Sequence, residues 1–177
     1  TASITITGSG ATVGGGSITG YEYRTSTDGG STWGTATSGA SVTITAEGET
    51  VVQFRAIDDA ANAGPWGPSS PAAGSTARID RTLPTAPTAS GGSSSWQSVA
   101  SVTLSATGAT DAVSGVASHE YRTSTDGGGT WTAAAAGAMV IVSAEGDTRA
   151  QFRSLDAAGN TSAWSTAAIA RIDRTLP

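Results

Sequence analysis

Apolar and polar residues alternate along the whole chain, and this pattern predicts β-strands. Residues 3–7 are apolar at every second position, which is the period of a half-buried strand. Residues 18–27 alternate in the same way, and residues 50–57 do so most strongly. For this last strand the pattern predicts Val52, Phe54 and Ala56 on the inward face, and Gln53 and Arg55 on the outward face. No stretch shows the 3.6-residue period of a helix.

One stretch of the chain occurs twice. Residues 22–33 read EYRTSTDGGSTW and residues 120–131 read EYRTSTDGGGTW, an offset of 120 − 22 = 98 residues. Both copies also end in ARIDRTLP. The repeat therefore predicts two copies of one module, covering residues 1–84 and 85–177, and each is of a size that a small β-sandwich can have.

Each module shows six or seven short strands separated by turn signals, such as the Asp-Gly pairs that favour tight hairpins. This spacing predicts an all-β protein of two tandem Ig-like (Greek-key) β-sandwich domains. The second module begins with a leading segment, residues 85–98, that has no counterpart in the first. We consider two explanations: the chain is cut from a longer array, or another chain supplies that edge of the first module.

Composition narrows the classes of function. The 177 residues carry 14 acidic and 9 basic side chains, a net charge of −5, and all nine basic residues are arginine. An acidic chain is a poor partner for nucleic acid, because phosphate binding needs a basic surface. There is no cysteine, which excludes disulfides and thiolate metal sites. No apolar run is long enough to span a bilayer, so we expect no membrane insertion.

Several motifs together resemble bacterial Ig-like repeats. They are Ile-Asp-Arg-Thr-Leu-Pro at 79–84 and 172–177, Ser-Gly-Val at 114–116, Ser-Thr-Asp-Gly-Gly at 26–30 and 124–128, and Asp-Ala-Ala-Gly-Asn at 156–160. Such repeats occur in tandem in secreted and surface-anchored proteins. The resemblance covers nearly the whole chain and implies a spacer or adhesive module outside the cell or on its surface. Fibronectin type III modules are a close structural relative. The first module departs from the pattern at Val13 and Ala61, where the second has Asp111 and Gly159.

The repeated hairpin also resembles the Asp box of sialidases. The matching residues are Ser26, Asp28, Gly30, Thr32 and Trp33, and in the second module Ser124, Asp126, Gly128, Thr130 and Trp131. In that family the box is a structural hairpin, remote from the chemistry, so the resemblance implies a stabilising role here. A sialidase also needs an arginine cluster, a tyrosine nucleophile and a much longer chain.

Candidate catalytic residues are few. His119 is the only histidine, and it aligns with Tyr21 of the first module, so the module does not need an imidazole there. Glu22 and Arg55 fall on neighbouring strands, as do Glu120 and Arg153, and we expect cross-strand ion pairs rather than acid–base catalysis. We therefore predict that the protein is not an enzyme and has no catalytic or cofactor-binding residues.

Loop aspartates raise the alternative of bound calcium. The candidates are Asp80, Asp111 and Asp156, because calcium takes six to eight oxygen ligands and often several carboxylates. No DxDxDG-like cluster is present, and the same aspartates are suited to bonding backbone amides in turns. We therefore expect turn capping to be the main role of these side chains and treat calcium as a hypothesis.

Five tryptophans could form a sugar-binding platform. Four of them are two repeated pairs, Trp33 with Trp131 and Trp66 with Trp164, which favours packing within the module; Trp96 is the fifth. The function we predict is that of a non-catalytic structural repeat of an extracellular fibre, stalk or adhesin, which spaces its neighbours and could form a filament by strand addition. Its partners would be neighbouring copies, in cis or as a homopolymer. The alternative is a carbohydrate- or ligand-binding module of a secreted hydrolase or phage tail protein, with surface glycans as partners.

Overall fold

A computed structural model describes residues 2–177; residue 1, where the first module was expected to begin, lies outside this range. The chain forms two compact units. Unit 1 ends at Arg81 and unit 2 is Thr82–Pro177. This division falls three residues before the expected end of the first module at Pro84, and Thr85 already belongs to unit 2, where its backbone N–H donates to the carbonyl of Thr110 at 2.8 Å.

Both units are built from antiparallel strands. Unit 1 contains β1 Ile4–Thr7, β2 Ile18–Ser26, β3 Thr37–Ser38, β4 Ser41–Ile44, β5 Gly48–Asp58 and β6 Thr76–Ile79, with one short 3-10 helix at Ala73–Ser75. Unit 2 contains β7 Thr88–Ser90, β8 Val102–Thr107, β9 Val116–Ser124, β10 Ala135–Ala136, β11 Met139–Val142, β12 Gly146–Asp156 and β13 Ala168–Ile172. Within the described residues, no helix is long and apolar enough to cross a membrane.

Unit 2 is a two-sheet sandwich. One sheet has the strand order β11-β8-β7 and the other β10-β9-β12-β13. The chain crosses from one sheet to the other between β8 and β9, and again after β10 and β11, so that β11 returns to pair with β8. Such an order, with the first, second and fifth strands opposite the other four, is that of Ig-like sandwiches of the fibronectin type III kind.

Unit 1 repeats the four-stranded sheet as β3-β2-β5-β6, but its other sheet contains only β1 and β4 among the described residues. In unit 2 the third strand of that sheet is β7, which lies within the leading segment that has no counterpart in the first module. Consequently β8 is paired on both sides, whereas β1 is paired only with β4.

The cores lie between the sheets and use few large side chains. Unit 2 buries Val102, Leu104, Val142, Phe152 and Ile172 together with small alanines, and Tyr121 packs against this cluster. Unit 1 buries Ile6, Ile44, Val52, Ala77 and Ile79.

The face of β5 that the alternation predicted to be outward is also covered. Gln53 is only 6% exposed, and Val51, on the same face, is 1% exposed. Gln53 lies on the outward face, as the alternation predicted, but it is buried rather than exposed to solvent. The cause is a layer of arginine and tryptophan side chains that lies over the sheet.

Candidate functional site

The outer face of the four-stranded sheet in each unit carries stacked arginine and tryptophan side chains. In unit 1 the Arg24 guanidinium lies 4.6 Å from the ring centroid of Trp33 and 4.5 Å from that of Trp66. The Arg55 guanidinium also lies over Trp66, at 4.5 Å. We call this set the arginine–tryptophan ladder. In unit 2 the same contacts join Arg122 to Trp131 at 4.8 Å, Arg122 to Trp164 at 4.4 Å and Arg153 to Trp164 at 4.7 Å.

Hydrogen bonds fix the guanidinium groups of the ladder. Arg24 donates from Nε and Nη2 to Oε1 of Gln53, at 3.0 and 2.7 Å, and Gln53 in turn donates to the carbonyl of Pro68 at 2.6 Å. Arg55 forms an ion pair with Glu22, 2.7 Å from Nη2 to Oε2. Two donors of a planar guanidinium on one acceptor hold its plane, which orients the stack. Gln53 is therefore buried with both its side-chain oxygen and its side-chain nitrogen hydrogen-bonded.

The ladder limits the ability of its tryptophans to bind a sugar. A sugar stacks on a free aromatic face, but two guanidinium groups already lie over the ring of Trp66. Trp164 is engaged in the same way in unit 2. Trp96 differs: its residue is 59% exposed, and its only cation contact in the described residues is Arg171 at 5.9 Å. Trp96 is thus the tryptophan best placed to meet another molecule.

The repeated hairpins are closed by the side chains that the sequence singled out. In unit 1 the Ser26 hydroxyl donates to Oδ1 of Asp28 at 2.7 Å and accepts the N–H of Gly30 at 2.9 Å. Thr32 donates its N–H to Oδ1 of Asp28 at 2.9 Å and its hydroxyl to Oδ2 at 2.6 Å. Ser124, Asp126, Gly128 and Thr130 repeat these bonds at 2.7, 2.9, 2.9 and 2.6 Å.

These hydrogen bonds stabilise the ionised forms of Asp28 and Asp126. The Thr32 hydroxyl, the Thr32 amide and the Ser26 hydroxyl all donate to Asp28, and they hold its pKa far below the ordinary 3.8. Thr130 and Ser124 lower the pKa of Asp126 in the same way. A carboxylate held ionised by local donors is suited to stabilising a turn, and it is a poor proton donor or acceptor near neutral pH.

The loop aspartates also cap turns. Oδ1 of Asp156 accepts the N–H groups of Ala158 and Asn160, and Oδ2 accepts from the Asn160 side chain at 2.8 Å. Asp58 makes the same bonds in unit 1, to Ala60 and Asn62. These donors lower the pKa of Asp58; at Asp156 burial is the largest influence and raises it, but the donors outweigh it, so that this pKa is lowered too.

The calcium candidates are divided between the units. Asp80 lies one residue beyond β6 in unit 1 and is buried; Asp111 and Asp156 belong to unit 2. A carboxylate oxygen of Asp111 lies within 4.8 Å of one from Asp156. Oδ1 of Asp111 accepts three backbone N–H groups at 2.9–3.0 Å, from Val113, Ser114 and Gly115, whereas its buried Oδ2 has no hydrogen-bond partner in the described part of the chain. Asp111 and Asp156 thus each have an oxygen that accepts backbone N–H groups, which is the turn-capping role that the sequence predicted.

His119 is not arranged for catalysis. It lies opposite Ser154 in the β9–β12 register, at the end of the face that carries Tyr121. Its Nε2 is buried without a hydrogen-bond partner within residues 2–177, and the same is true of the Ser154 hydroxyl. A nucleophile and its base need to be within hydrogen-bond reach of each other, and no such bond joins these two side chains.

The leading segment of unit 2, residues 85–98, pairs with the last strand of that unit, β13. Gln97 forms a parallel bridge with Ile172 of β13. Its N–H donates to the carbonyl of Arg171 at 2.9 Å, and its carbonyl accepts the N–H of Asp173 at 3.0 Å. Farther back along the segment, the Ser93 N–H donates to the carbonyl of Ile169 at 2.7 Å. We call this set of backbone bonds the terminal clamp.

Sequence reasoning found the hairpins and the Glu22–Arg55 pair but missed the ladder and the terminal clamp. The ladder had a signal in the sequence, because its two arginines and its two tryptophans all recur at the same 98-residue offset. The clamp had none, because pairing between distant segments leaves no local pattern.

Strand order and the repeated sheet surface together place the protein among tandem β-sandwich repeats of the Ig-like, fibronectin type III class of fold. Comparisons with protein-family models and with curated proteins give no match. Among solved structures, the chain is similar to the FN1–FN3 domains of chicken CNTN1, with a TM-score of 0.43 and 14% identity over 97% of this chain and 63% of that one. It is also similar to the fibronectin(III)-like modules of Clostridium thermocellum CbhA, with a TM-score of 0.40 and 16% identity over 99% of this chain and 88% of that one.

Proposed function

We propose that the protein is a non-catalytic structural repeat of an extracellular or surface-exposed fibre, stalk or adhesin, and that it acts as a load-bearing spacer. The observation that carries this proposal is the terminal clamp of unit 2. The segment that enters the unit runs parallel to the strand that leaves it, so a pull on the two ends drives them in opposite directions along their length. All the clamp bonds are then loaded together, which makes forced unfolding slow.

The repeated features support the same function. Both units reproduce the hairpin bonds, the ladder and the Glu–Arg pair, which are all framework interactions. The one histidine is not repeated, because Tyr21 holds that position in unit 1. The two units therefore share structural contacts rather than a reactive group.

Single-molecule force spectroscopy on the full chain tests this function. We expect two unfolding steps, each releasing the length of one unit at about 3.5 Å per residue. Unit 2 should unfold at the higher force, because the described part of unit 1 has no counterpart of Gln97. Gln97→Pro removes the N–H that bonds to Arg171 and should bring the two steps to similar forces. Equal forces in the wild-type protein would refute the load-bearing role of the clamp.

The alternative of a carbohydrate-binding module is favoured by one observation, the exposure of Trp96. A panel of glycans, with tryptophan fluorescence as the readout, tests it. Saturable quenching that Trp96→Ala abolishes would establish binding, and Trp66→Ala is the control because its ring already carries two guanidinium groups.

A further inference from the structure

The edge strand β11 of unit 2 carries two large apolar side chains that face the solvent. Met139 is 58% exposed and Ile141 is 63% exposed. The residues opposite them on β8, Ser105 and Thr103, carry hydroxyl groups and offer no apolar surface. Single exposed apolar residues are ordinary on protein surfaces, but two at alternate positions of one edge strand form a continuous apolar strip.

The corresponding strand of unit 1 does not carry this strip. At the 98-residue offset, Ser41 and Thr43 of β4 take the places of Met139 and Ile141. Both are exposed, and the Thr43 hydroxyl is hydrogen-bonded with that of Thr5 at 2.9 Å. The two strands have the same pattern of exposed, half-buried, exposed and buried residues. The fold therefore does not need apolar side chains at these two positions, and their role lies outside the packing of unit 2.

The backbone groups of the same two residues lie on the outer edge of the sheet. The carbonyl of Ala138 accepts an N–H group of β8 at 2.8 Å, so Ala138 directs its backbone groups towards β8. Successive residues of a strand direct these groups to opposite sides. Val140 consequently faces β8 as well, whereas Met139 and Ile141 direct their N–H and carbonyl groups away from it. Among the described residues, no strand pairs with this edge of β11.

This edge is self-complementary under a two-fold axis. When two β11 strands run antiparallel with Val140 on the axis, Met139 of each copy lies opposite Ile141 of the other. Both residues of such a pair direct their backbone groups to the shared edge, so the pair exchanges two N–H···O bonds. The apolar side chains of both pairs then lie side by side on one face, at the spacing at which cross-strand pairs interact. A two-fold interface requires a patch of this kind, which fits its own copy.

The charge distribution favours a second copy as the occupant of this edge. The chain has a net charge of −5, which opposes association, but residues 127–144 contain no charged side chain. The nearest acidic residue that follows β11 is Glu145, and it is already paired with Arg174 at 3.2 Å. Lysine and proline, which commonly protect an edge strand from pairing, are also absent from this stretch.

From these observations we propose that unit 2 has a dimerisation edge, at which β11 pairs antiparallel with β11 of a second copy of this chain. Backbone hydrogen bonds align the two strands, and the pairs of Met139 with Ile141 remove apolar surface from water. The interface is small, so the dimer is weak and reversible, with a dissociation constant on the order of 100 µM. This pairing joins copies side by side; it goes beyond the spacer function and does not depend on it.

Sedimentation equilibrium of the full chain between about 10 µM and 1 mM tests the proposal. The average mass should rise from that of one chain towards that of two and should not exceed it. Ile141→Lys places a charge in both symmetric pairs and should raise the dissociation constant at least about tenfold. Thr43→Lys is the matched control, because it changes the net charge equally at the equivalent position of unit 1, and it should leave the dissociation constant unchanged. Both residues are exposed, and circular dichroism checks that both variants fold.

A cysteine on the two-fold axis tests the register, since the chain has no cysteine of its own. Val140→Cys should give a disulfide-linked dimer on air oxidation, because antiparallel pairs without hydrogen bonds bring their Cα atoms to about 4.5 Å. Val42→Cys, the equivalent change in unit 1, should cross-link far more slowly.

Four results would overturn the proposal. The wild-type chain could stay monomeric up to the highest concentration, or its mass could rise without limit, which indicates non-specific aggregation. Ile141→Lys and Thr43→Lys could have the same dissociation constant. Lastly, Val140→Cys could cross-link no faster than Val42→Cys.

Discussion

Arg122 lies over Trp164, with its guanidinium carbon 4.4 Å from the ring centroid, and the same side chain contacts Trp131. It also donates two hydrogen bonds to Gln151, at 3.0 and 2.6 Å. One side chain thus ties the repeated hairpin, the central strands and the segment after β12 into a single surface layer.

Removal of this side chain should destabilise unit 2 markedly. We expect Arg122→Ala to lower its free energy of unfolding by roughly 2 kcal/mol, because two cation–π contacts and a forked hydrogen bond are lost together. Arg122→Lys keeps the charge but not the planar fork, and should lose about half as much. Urea unfolding followed by tryptophan fluorescence measures both.

Arg24→Ala is the matched change in unit 1 and should have a similar effect there. Arg78→Ala is the control: its side chain is 77% exposed, and its ion pair with Glu49 should contribute little. The structural role of the ladder would be contradicted if Arg122→Ala and Arg78→Ala changed stability equally.

The two hairpin aspartates should make stability depend on pH in the acid range. Donors in the folded state lower the pKa of Asp28 and Asp126 far below 3.8, so the folded state binds their protons less readily than the unfolded state does. Their contribution is present in full above about pH 5 and is lost as the pH falls through the lowered folded-state pKa. Thermal unfolding between neutral and strongly acid pH measures this loss.

In the double variant Asp28→Asn, Asp126→Asn we expect the melting temperature to fall less steeply as the pH is lowered. Some dependence on pH should remain, because the pKa values of Asp58 and Asp156 are lowered as well. A double variant with the same acid dependence as the wild-type protein would show that the hairpin carboxylates do not contribute.

The turns that follow β5 and β12 each contain one residue with a positive φ, and this residue differs between the two units. Ala61 has a φ of 63°, in the left-handed region, and the corresponding residue in unit 2 is Gly159, with a φ of 89°. An L-residue with a Cβ is strained there by about 1 kcal/mol. Ala61→Gly should therefore raise the melting temperature of unit 1, and Gly159→Ala should lower that of unit 2. Calorimetry of the paired variants tests this, and shifts of the same sign in both would contradict it.

Calcium removal should leave the protein unchanged. Both oxygens of Asp156 already accept hydrogen bonds, and Oδ1 of Asp111 holds three amides. We expect the same melting temperature in EDTA and in excess calcium. A calcium-dependent rise of several degrees that Asp111→Asn abolishes would instead support the calcium hypothesis and would make Oδ2 of Asp111 a ligand.

The sequence by itself determined the repeat, the strands and the hairpins. These depend on local chemistry: alternation places every second residue on one face, and Asp28 bonds to donors only two to four residues away. The fold class followed because several short, regularly spaced strands can bury their apolar faces only against one another.

Only the tertiary structure decided which surfaces are covered. Gln53 read as an outward polar residue, yet it is buried, because Arg24 and Trp66 come from other parts of the chain to lie over it. The same holds for Phe54 and Phe152, which share the sequence Gln-Phe-Arg at equivalent strand positions but differ in burial. Ala89, more than fifty residues from Phe152 along the chain, packs against the core cluster of Phe152, and contact at such a distance leaves no trace in local periodicity.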